Sequence, residues 1–294
     1  MGSIASTMTK LTGLPPKRKG WQGYAIFASR LFAIYLIGFV LLFFCQRFFL
    51  YHNGDERLVP AEHSVPEMAE RIVPSDGVDV VTWVHDAGPS KPVIIYFHGN
   101  AGVLGHRAWR FRWMMDRGWG VVGIGLRGGS GTGGSPTEEG HAADARAVYD
   151  ALPQLLGRPV ERGGVVLYGE SLGSGIAVTL ASERGVGGVI LETPYAAMDD
   201  LAQEKFGMFP IKALGAVKDT FRSIDRITEI GAPVLMMHGS DDVVIPIHHA
   251  QRLFDTADDP KWYRWFEGGG HNDLWQRGAT DAISEFMQRY FPSR

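Results

Sequence analysis

The segment that most constrains this chain is Gly169-Glu170-Ser171-Leu172-Gly173, set between an apolar run, VVLYG, and a stretch of helical character, LGSGIAVTL. A serine held on a sharp strand-to-helix turn tolerates little bulk two residues before or after it. The two glycines therefore mark a strained turn that projects the Ser171 hydroxyl. The same turn sets the backbone N–H of Leu172 at a helix amino terminus, where it can donate to an oxygen that becomes negative. Ser171 is a candidate nucleophile and Leu172 a candidate oxyanion donor.

Around this turn, short apolar runs alternate with amphipathic stretches. Val78–His85, Val93–Phe97, Gly120–Gly125, Gly164–Tyr168, Gly188–Leu191, Pro233–Met237 and Trp262–Phe266 read as strands. Several are too uniformly apolar to have a solvent face, as in a parallel sheet covered on both sides. Arg107–Arg117, Pro136–Leu156, Leu172–Arg184, Ile247–Thr256 and Asp273–Tyr290 carry apolar residues at helical spacing. The alternation predicts a doubly wound, mostly parallel α/β sheet. Between Leu191 and Pro233 the chain is longer than a crossover needs, and 196–227 is expected to form a small helical cap. At 294 residues, one catalytic domain over 71–294 with an appendage before it is the natural division.

That appendage contains LFAIYLIGFVLLFFC, Leu31 to Cys45, without a charge. With Arg30 and Arg47 snorkelling to opposite interfaces, residues 24–46 reach the roughly 20 residues a bilayer core requires, and Trp21 and Tyr24 sit as interfacial anchors. A signal peptidase site needs small residues after the apolar stretch, whereas Gln-Arg-Phe-Phe-Leu-Tyr follows, so the span is read as an uncleaved signal-anchor. Lys10, Lys17, Arg18 and Lys19 precede it, while the far flank mixes charges. This bias predicts a cytoplasmic tail over 1–23, a connector over 47–70 and a catalytic domain on the non-cytoplasmic side. Met1-Gly2-Ser3 fits a loose acylation pattern, but a second start at Met8 makes a leader an equal explanation, and no lipid is assigned.

An elbow serine needs a base, and the base needs an orienting acid. After the run PVLMM come His238-Gly239-Ser240-Asp241-Asp242, and after WYRWF come Glu267-Gly268-Gly269-Gly270-His271. His271, on a glycine-rich loop, is the candidate base. Asp241, Asp242 and Glu192 are candidate acids, one of the first two being free to cap its turn instead. His98-Gly99-Asn100-Ala101-Gly102 follows VIIYF, where a second oxyanion donor is expected from the N–H of Asn100 or Ala101; His98 is read as structural.

Other classes fit poorly. Net charge is −3 with no dense basic patch, which argues against nucleic acid. The single cysteine, Cys45, lies in the apolar run and suits neither a disulfide, a thiol nucleophile nor a cysteine metal site. Gly123-Ile124-Gly125-Leu126-Arg127-Gly128 matches a dinucleotide fingerprint but leads into a further Gly/Ser/Thr loop. His248-His249 lack a metal-binding frame and read as surface histidines. No cofactor or metal is expected.

The motifs YFHGNAG, LRGGSGTGGSPTEEG, YGESLGSGIA, LETPY, HGSDDVVIP and GGGHND, spanning Tyr96 to Asp273, resemble the BEM46-like branch of the α/β-hydrolases, which includes the α/β-hydrolase-domain-13 proteins. The resemblance implies an α/β-hydrolase fold, one amino-terminal transmembrane segment and a Ser-His-Asp triad, with Asp242 as the acid and Glu192 structural. Gly129 departs from the branch, which usually has a tyrosine there. The implied activity is hydrolysis of a small, lipid-like or protein-bound acyl ester or thioester. The same residues could serve a peptidase or acyltransferase, and the fold could serve as a non-catalytic binding module.

If 24–46 spans a bilayer, the full-length protein stays with the membrane fraction through a carbonate or high-salt wash that strips proteins held by charge alone. Recovery in the soluble fraction would overturn the anchor. A chain beginning near Leu58 is expected to be soluble and active, since every residue given a catalytic role lies beyond Tyr96.

Overall fold

The computed structural model describes residues 21–292. The tail before Trp21, with its basic cluster and Gly2, lies outside the described residues. The chain divides into two units, 1–46 and 47–294. The described part of the first belongs to α1 (Trp21–Leu50), a 30-residue helix with no buried side chain, whose last four residues fall in the second unit. At 1.5 Å per residue it extends about 45 Å, long and apolar enough to cross a membrane. It continues past residue 46 to Leu50 because no glycine or proline interrupts Gln46-Arg47-Phe48-Phe49-Leu50; the first glycine beyond is Gly54.

The second unit proceeds through β1 (His52–Asn53), β2 (Ala69–Ser75), β3 (Val78–His85), β4 (Val93–Phe97), β5 (Ala101–Gly102), α2 (Ala108–Met115), β6 (Gly120–Ile124), α3 (Glu138–Asp150), α4 (Leu152–Leu156), β7 (Val165–Glu170) and α5 (Leu172–Glu183). It continues through β8 (Gly188–Glu192), α6 (Met198–Lys205), β9 (Val234–Gly239), α7 (His248–Thr256), β10 (Lys261–Phe266) and α8 (Ala279–Tyr290). Eight strands form one sheet in the order β10-β9-β8-β7-β4-β6-β3-β2. From β10 to β6 all pairings are parallel, and β3 and β2 add an antiparallel edge.

Alternate residues of the central strands face opposite layers. Ile95, Phe97, Leu167, Leu191 and Met236 join α3, α5 and α7 in one core. Ile94, Tyr96, Tyr168, Ile190 and Met237 join α2 and α8 in the other. All five residues of β4, β6 and β8 are buried, which is why these strands carry no alternation in the sequence.

Three elements differ from the sequence expectation. β2 is a strand that the apolar runs did not mark: AERIVPS, at the start of the expected catalytic domain, pairs along its length with β3, and its charges and Pro74 are tolerated because it is the sheet's outer strand. The expected helix over Pro136–Leu156 breaks at Ala151, because Pro153 cannot donate into a continuing helix and instead sits in the first turn of α4. The last helix starts at Ala279, after Gly278 at φ 97° closes a preceding 3-10 turn. Within 196–227 the helical content is α6, with turns after it and a 3-10 turn at Ser223–Asp225.

The sheet has its switch point between β4 and β7. The chain leaves β4 for β6 on one side and returns to β7 on the other, so the carboxyl ends of these two strands open a crevice. Register aligns Phe97 with Gly169, bringing the His98 loop beside the Ser171 turn. The approach is very close. A Cβ on Gly173 would lie 2.2 Å from the Phe97 carbonyl oxygen and 2.8 Å from that of His98, both backbone atoms. Gly173→Ala is expected to destabilise the fold by ~3 kcal/mol or more, read by denaturant unfolding. Gly163→Ala, where an added Cβ meets nothing within 4 Å, should change stability by less than about 0.5 kcal/mol. An unchanged midpoint for Gly173→Ala would show that strand and elbow are not in contact.

Candidate active site

Ser171 stands between β7 and α5 with φ 51° and ψ −115°, a strained backbone for a residue with a side chain. The strain, about 1–3 kcal/mol, is held by the surrounding framework. The Ser171 N–H donates to Glu192 O at 2.8 Å, and Gly169 and Gly173 leave no room for the turn to relax.

His271 Nε2 lies 3.0 Å from Ser171 Oγ, and His271 Nδ1 lies 2.7 Å from Asp242 Oδ2. The three residues come from loops after β7, β9 and β10, and the structure brings them into one line. The last two loops are packed by backbone. Asp241 N–H donates to Gly269 O, Ser240 N–H to Phe266 O, each at 2.9 Å, and a Cβ on Gly239 would lie 2.2 Å from Gly269 O. Close approach thus requires glycine at 239 and favours it at 269, where an added Cβ would lie 3.0 Å from Phe266 O, while Gly268 adopts φ 66°.

Asp242 has a fully buried side chain. Its Oδ1 accepts the N–H groups of Val244 and Ile245, each at 2.8 Å, leaving Oδ2 to His271 and to His238 Nε2 at 3.3 Å. Burial by itself would raise this carboxyl, but the hydrogen bonds from His238 and His271 outweigh it and hold it well below the usual carboxylate range. Asp242 is an anion at any pH near neutrality. Asp241 is exposed, and its carboxylate accepts Ser240 Oγ–H at 2.8 Å. Glu192 is turned into a buried cluster, where Arg110, Tyr168 and Trp275 occupy its oxygens.

On the other side of Ser171, a Cβ on Gly99 would touch Glu170 Oε1 at 3.1 Å and Ser171 Cβ at 3.4 Å. The backbone of Gly99 and Asn100 thereby follows the elbow. The N–H of Leu172 opens α5 and has no partner within that helix. Among the described residues, the N–H of Asn100 makes no turn or loop hydrogen bond to a backbone carbonyl. His98 is fully buried, with Nδ1 2.7 Å from Gly99 O and Nε2 3.5 Å from both Leu126 N and Ser130 Oγ. Burial, with help from Arg107, pushes its pKa down to about 4, so the ring is neutral at pH 7. Its Nδ1–H donates to Gly99 and its Nε2 accepts, fixing the loop.

Beneath the elbow lies a set of residues that the sequence reading missed. Arg107 donates to both Glu170 oxygens, at 2.6 and 3.1 Å. Arg110 bridges Glu192 at 2.7 Å and Tyr96 Oη at 2.6 Å. Tyr96 in turn donates to Glu170 at 2.7 Å. Burial would raise the Glu170 carboxyl, but Arg110 and Arg107 reverse the shift and hold it well below the ordinary range. The available signal was Arg107 and Arg110 at helical spacing beside a glutamate inside the Gly-x-Ser-x-Gly motif.

The decoys resolve structurally. After Gly123–Gly128 the loop folds over the buried Arg127–Asp144 pair, at 2.7 and 3.0 Å, and no helix begins until Glu138. His249, expected at the surface, is buried. His248 and His249 place their Nε2 atoms 3.0 and 3.3 Å from the Glu204 carboxylate, which fastens α7 to α6. These three donor groups lie within 4.8 Å of one another; the two Nε2 atoms are paired with the carboxylate, and the buried His249 Nδ1 has no partner among the described residues.

No protein-family model matches the chain. It is 31% identical over 262 residues to the uncharacterized protein Rv2307c of Mycobacterium tuberculosis, covering 87% of this chain and 92% of that one. It is 32% identical over 202 residues to α/β-hydrolase domain-containing protein 17B of Homo sapiens, covering 68% and 67%. It is also 32% identical over 191 residues to lysophosphatidylserine lipase ABHD12 of Danio rerio, covering 58% of this chain and 49% of the relative. The solved Pyrococcus furiosus esterase Pf2001 shares the fold with a TM-score of 0.67 at 16% identity, over 82% of this chain and 99% of that one. Fold and relatives agree, and the chain belongs to the α/β-hydrolase domain proteins of the α/β-hydrolase superfamily.

Proposed function

We propose that this chain is a membrane-anchored serine hydrolase that cleaves carboxylic ester or thioester bonds through a covalent acyl-enzyme. Ser171 is the nucleophile, His271 the base and Asp242 the acid that orients it. The N–H groups of Leu172 and Asn100 are the oxyanion donors. The observation that carries this reading is the hydrogen-bonded line from Asp242 Oδ2 to His271 (2.7 Å) and from His271 to Ser171 Oγ (3.0 Å), ending on a strained elbow.

In the cycle, His271 takes the Oγ proton as Ser171 adds to the carbonyl carbon. Asp242 holds the ring with Nδ1 protonated and stabilises the imidazolium that forms. His271 then gives the proton to the departing alcohol or thiol. A water enters, loses a proton to His271 and adds to the acyl-enzyme; collapse releases the acid and returns the proton to Ser171. Both tetrahedral species place negative charge on one oxygen, where each N–H donor contributes on the order of 3 kcal/mol.

The length and apolarity of α1 support the anchor, and the basic residues before it support a catalytic domain on the non-cytoplasmic side. A chain held at a bilayer meets lipid-like acyl substrates there, and one relative is named as a lysophosphatidylserine lipase. The motifs from Tyr96 to Asp273 support placement near the BEM46-like branch.

Ser171→Ala is expected to fold normally while losing fluorophosphonate labelling and nearly all ester hydrolysis, because the elbow offers no substitute hydroxyl. Labelling retained in that variant would move the nucleophile elsewhere. The two adjacent aspartates separate in the same assay. Asp242→Asn should lower kcat by orders of magnitude through loss of the ring tautomer and of imidazolium stabilisation, and Asp241→Asn by less than about tenfold. The reverse ranking would assign the acid to Asp241.

A further inference from the structure

The side chain of Asn100 does not face the reaction; it is bound to the segment that leaves α1. Its Nδ2 donates to the carbonyl of Leu50, the last residue of that helix, and its Oδ1 accepts the His52 N–H at 3.0 Å. One short side chain with both a donor and an acceptor thus closes the turn between helix end and strand. Beyond it, His52 and Asn53 pair in parallel with Ala101 and Gly102, and Gly54 N–H donates to Gly102 O at 3.0 Å. Gly54 O accepts from Ser130 N–H at 2.7 Å, while Ser130 Oγ meets His98 and accepts from Leu104 N–H at 2.8 Å.

The same segment is pinned at two further points. Arg47 makes a two-pronged pair with Asp219, at 2.7 and 3.0 Å, and the Asp219 side chain is 3% exposed. Asp219 also accepts the Glu138 N–H at 3.0 Å, which ties it to the start of α3. Tyr51 is buried against His141 with ring centroids 5.4 Å apart. Arg47–Gly54 is therefore fastened to the cap region at one end and to the loop after β4 at the other.

We infer that Asn100 is a positioning residue through which Arg47–Gly54 sets the loop that carries the second oxyanion donor, so that this segment is a working part of the site. The inference rests on the oxyanion reading above. The Asn100 N–H acts on the reacting oxygen; its carboxamide, held by Leu50 and His52, fixes where that N–H points, while Gly99 against Ser171 fixes the other side of the same peptide. Displacing such a donor weakens a contact made in the transition state and leaves ground-state binding largely intact. A chain beginning at Leu58 would lack every one of these contacts, and its activity is expected to fall below that of the full-length protein.

The test uses full-length protein in detergent, with Asn100→Ala, which removes the bridge, and His52→Pro, which removes the N–H from the opposite side without touching the donor loop. A p-nitrophenyl ester assay is expected to show kcat reduced about 10- to 100-fold in both, within the range for loss of one oxyanion donor. KM should stay within about twofold and the pH profile should keep its shape, because Asp242 and His271 are untouched. Asn100→Ser, which keeps a donor and an acceptor, should recover part of the loss. Amide exchange at Ala101 and Gly102 should quicken in His52→Pro. Wild-type kcat in both Asn100→Ala and His52→Pro overturns the inference, as does a loss carried entirely by KM. If wild-type protein takes no fluorophosphonate at Ser171, the hydrolase reading fails instead, and exchange decides the coupling: unchanged exchange at Ala101–Gly102 in His52→Pro overturns it.

Discussion

The close approach of the Ser171 elbow to the end of β4 is the constraint on which the rest of the structure depends. Gly173 lies where a single Cβ would meet the Phe97 carbonyl oxygen at 2.2 Å, and Gly169 where one would meet Gly173 O at 2.5 Å. No rotamer change relieves such contacts, because the opposing atoms are backbone. The elbow, the strand it leaves and the neighbouring strand must therefore move as one body. That rigidity is what allows a serine at φ 51° to persist.

A second support lies under the elbow and is electrostatic. Glu170 and Glu192 are brought out of water together with Arg107 and Arg110, and each carboxylate oxygen has a charged or hydroxyl partner. Burying one of these charges alone would be strongly unfavourable, whereas the matched set is tolerated because every member is compensated. The net effect is geometric. Arg107 and Arg110 on and beside α2 reach carboxylates at the ends of β7 and β8, so helix and sheet are registered directly beneath the Ser171 turn.

The remaining parts of the site are placed by main chain. Asp242 is fixed by two N–H groups of its own loop, and the His271 loop by hydrogen bonds from Ser240 and Asp241. Loops so tied need little side-chain packing, which explains how exposed, glycine-rich segments can hold three residues from distant parts of the chain in line. The loop after β4 is held differently: its Asn100 side chain reaches back to the segment that follows α1.

How much of this was legible depended on whether the cause was local. Apolar runs such as VIIYF and VVLYG must be buried on both faces, so strand order along the chain followed from hydrophobicity alone, and the glycines around Ser171 announced their own turn. His271 was recognisable because a glycine run is a poor setting for a core residue. The sequence by itself therefore determined the fold class, the elbow and the membrane-length helix. Only the tertiary structure separates Asp241 from Asp242 by geometry: Asp242 is buried on Val244, Ile245 and His238 and meets His271 at 2.7 Å, whereas Asp241, one residue earlier on the turn, is exposed. It alone decided that Glu192 faces Arg110, that AERIVPS is an outer strand, and that Asn100 bridges to Leu50, fifty positions away. Pairings between distant residues leave no periodicity in a single sequence, since their energy arises when the sheet has already brought the partners together.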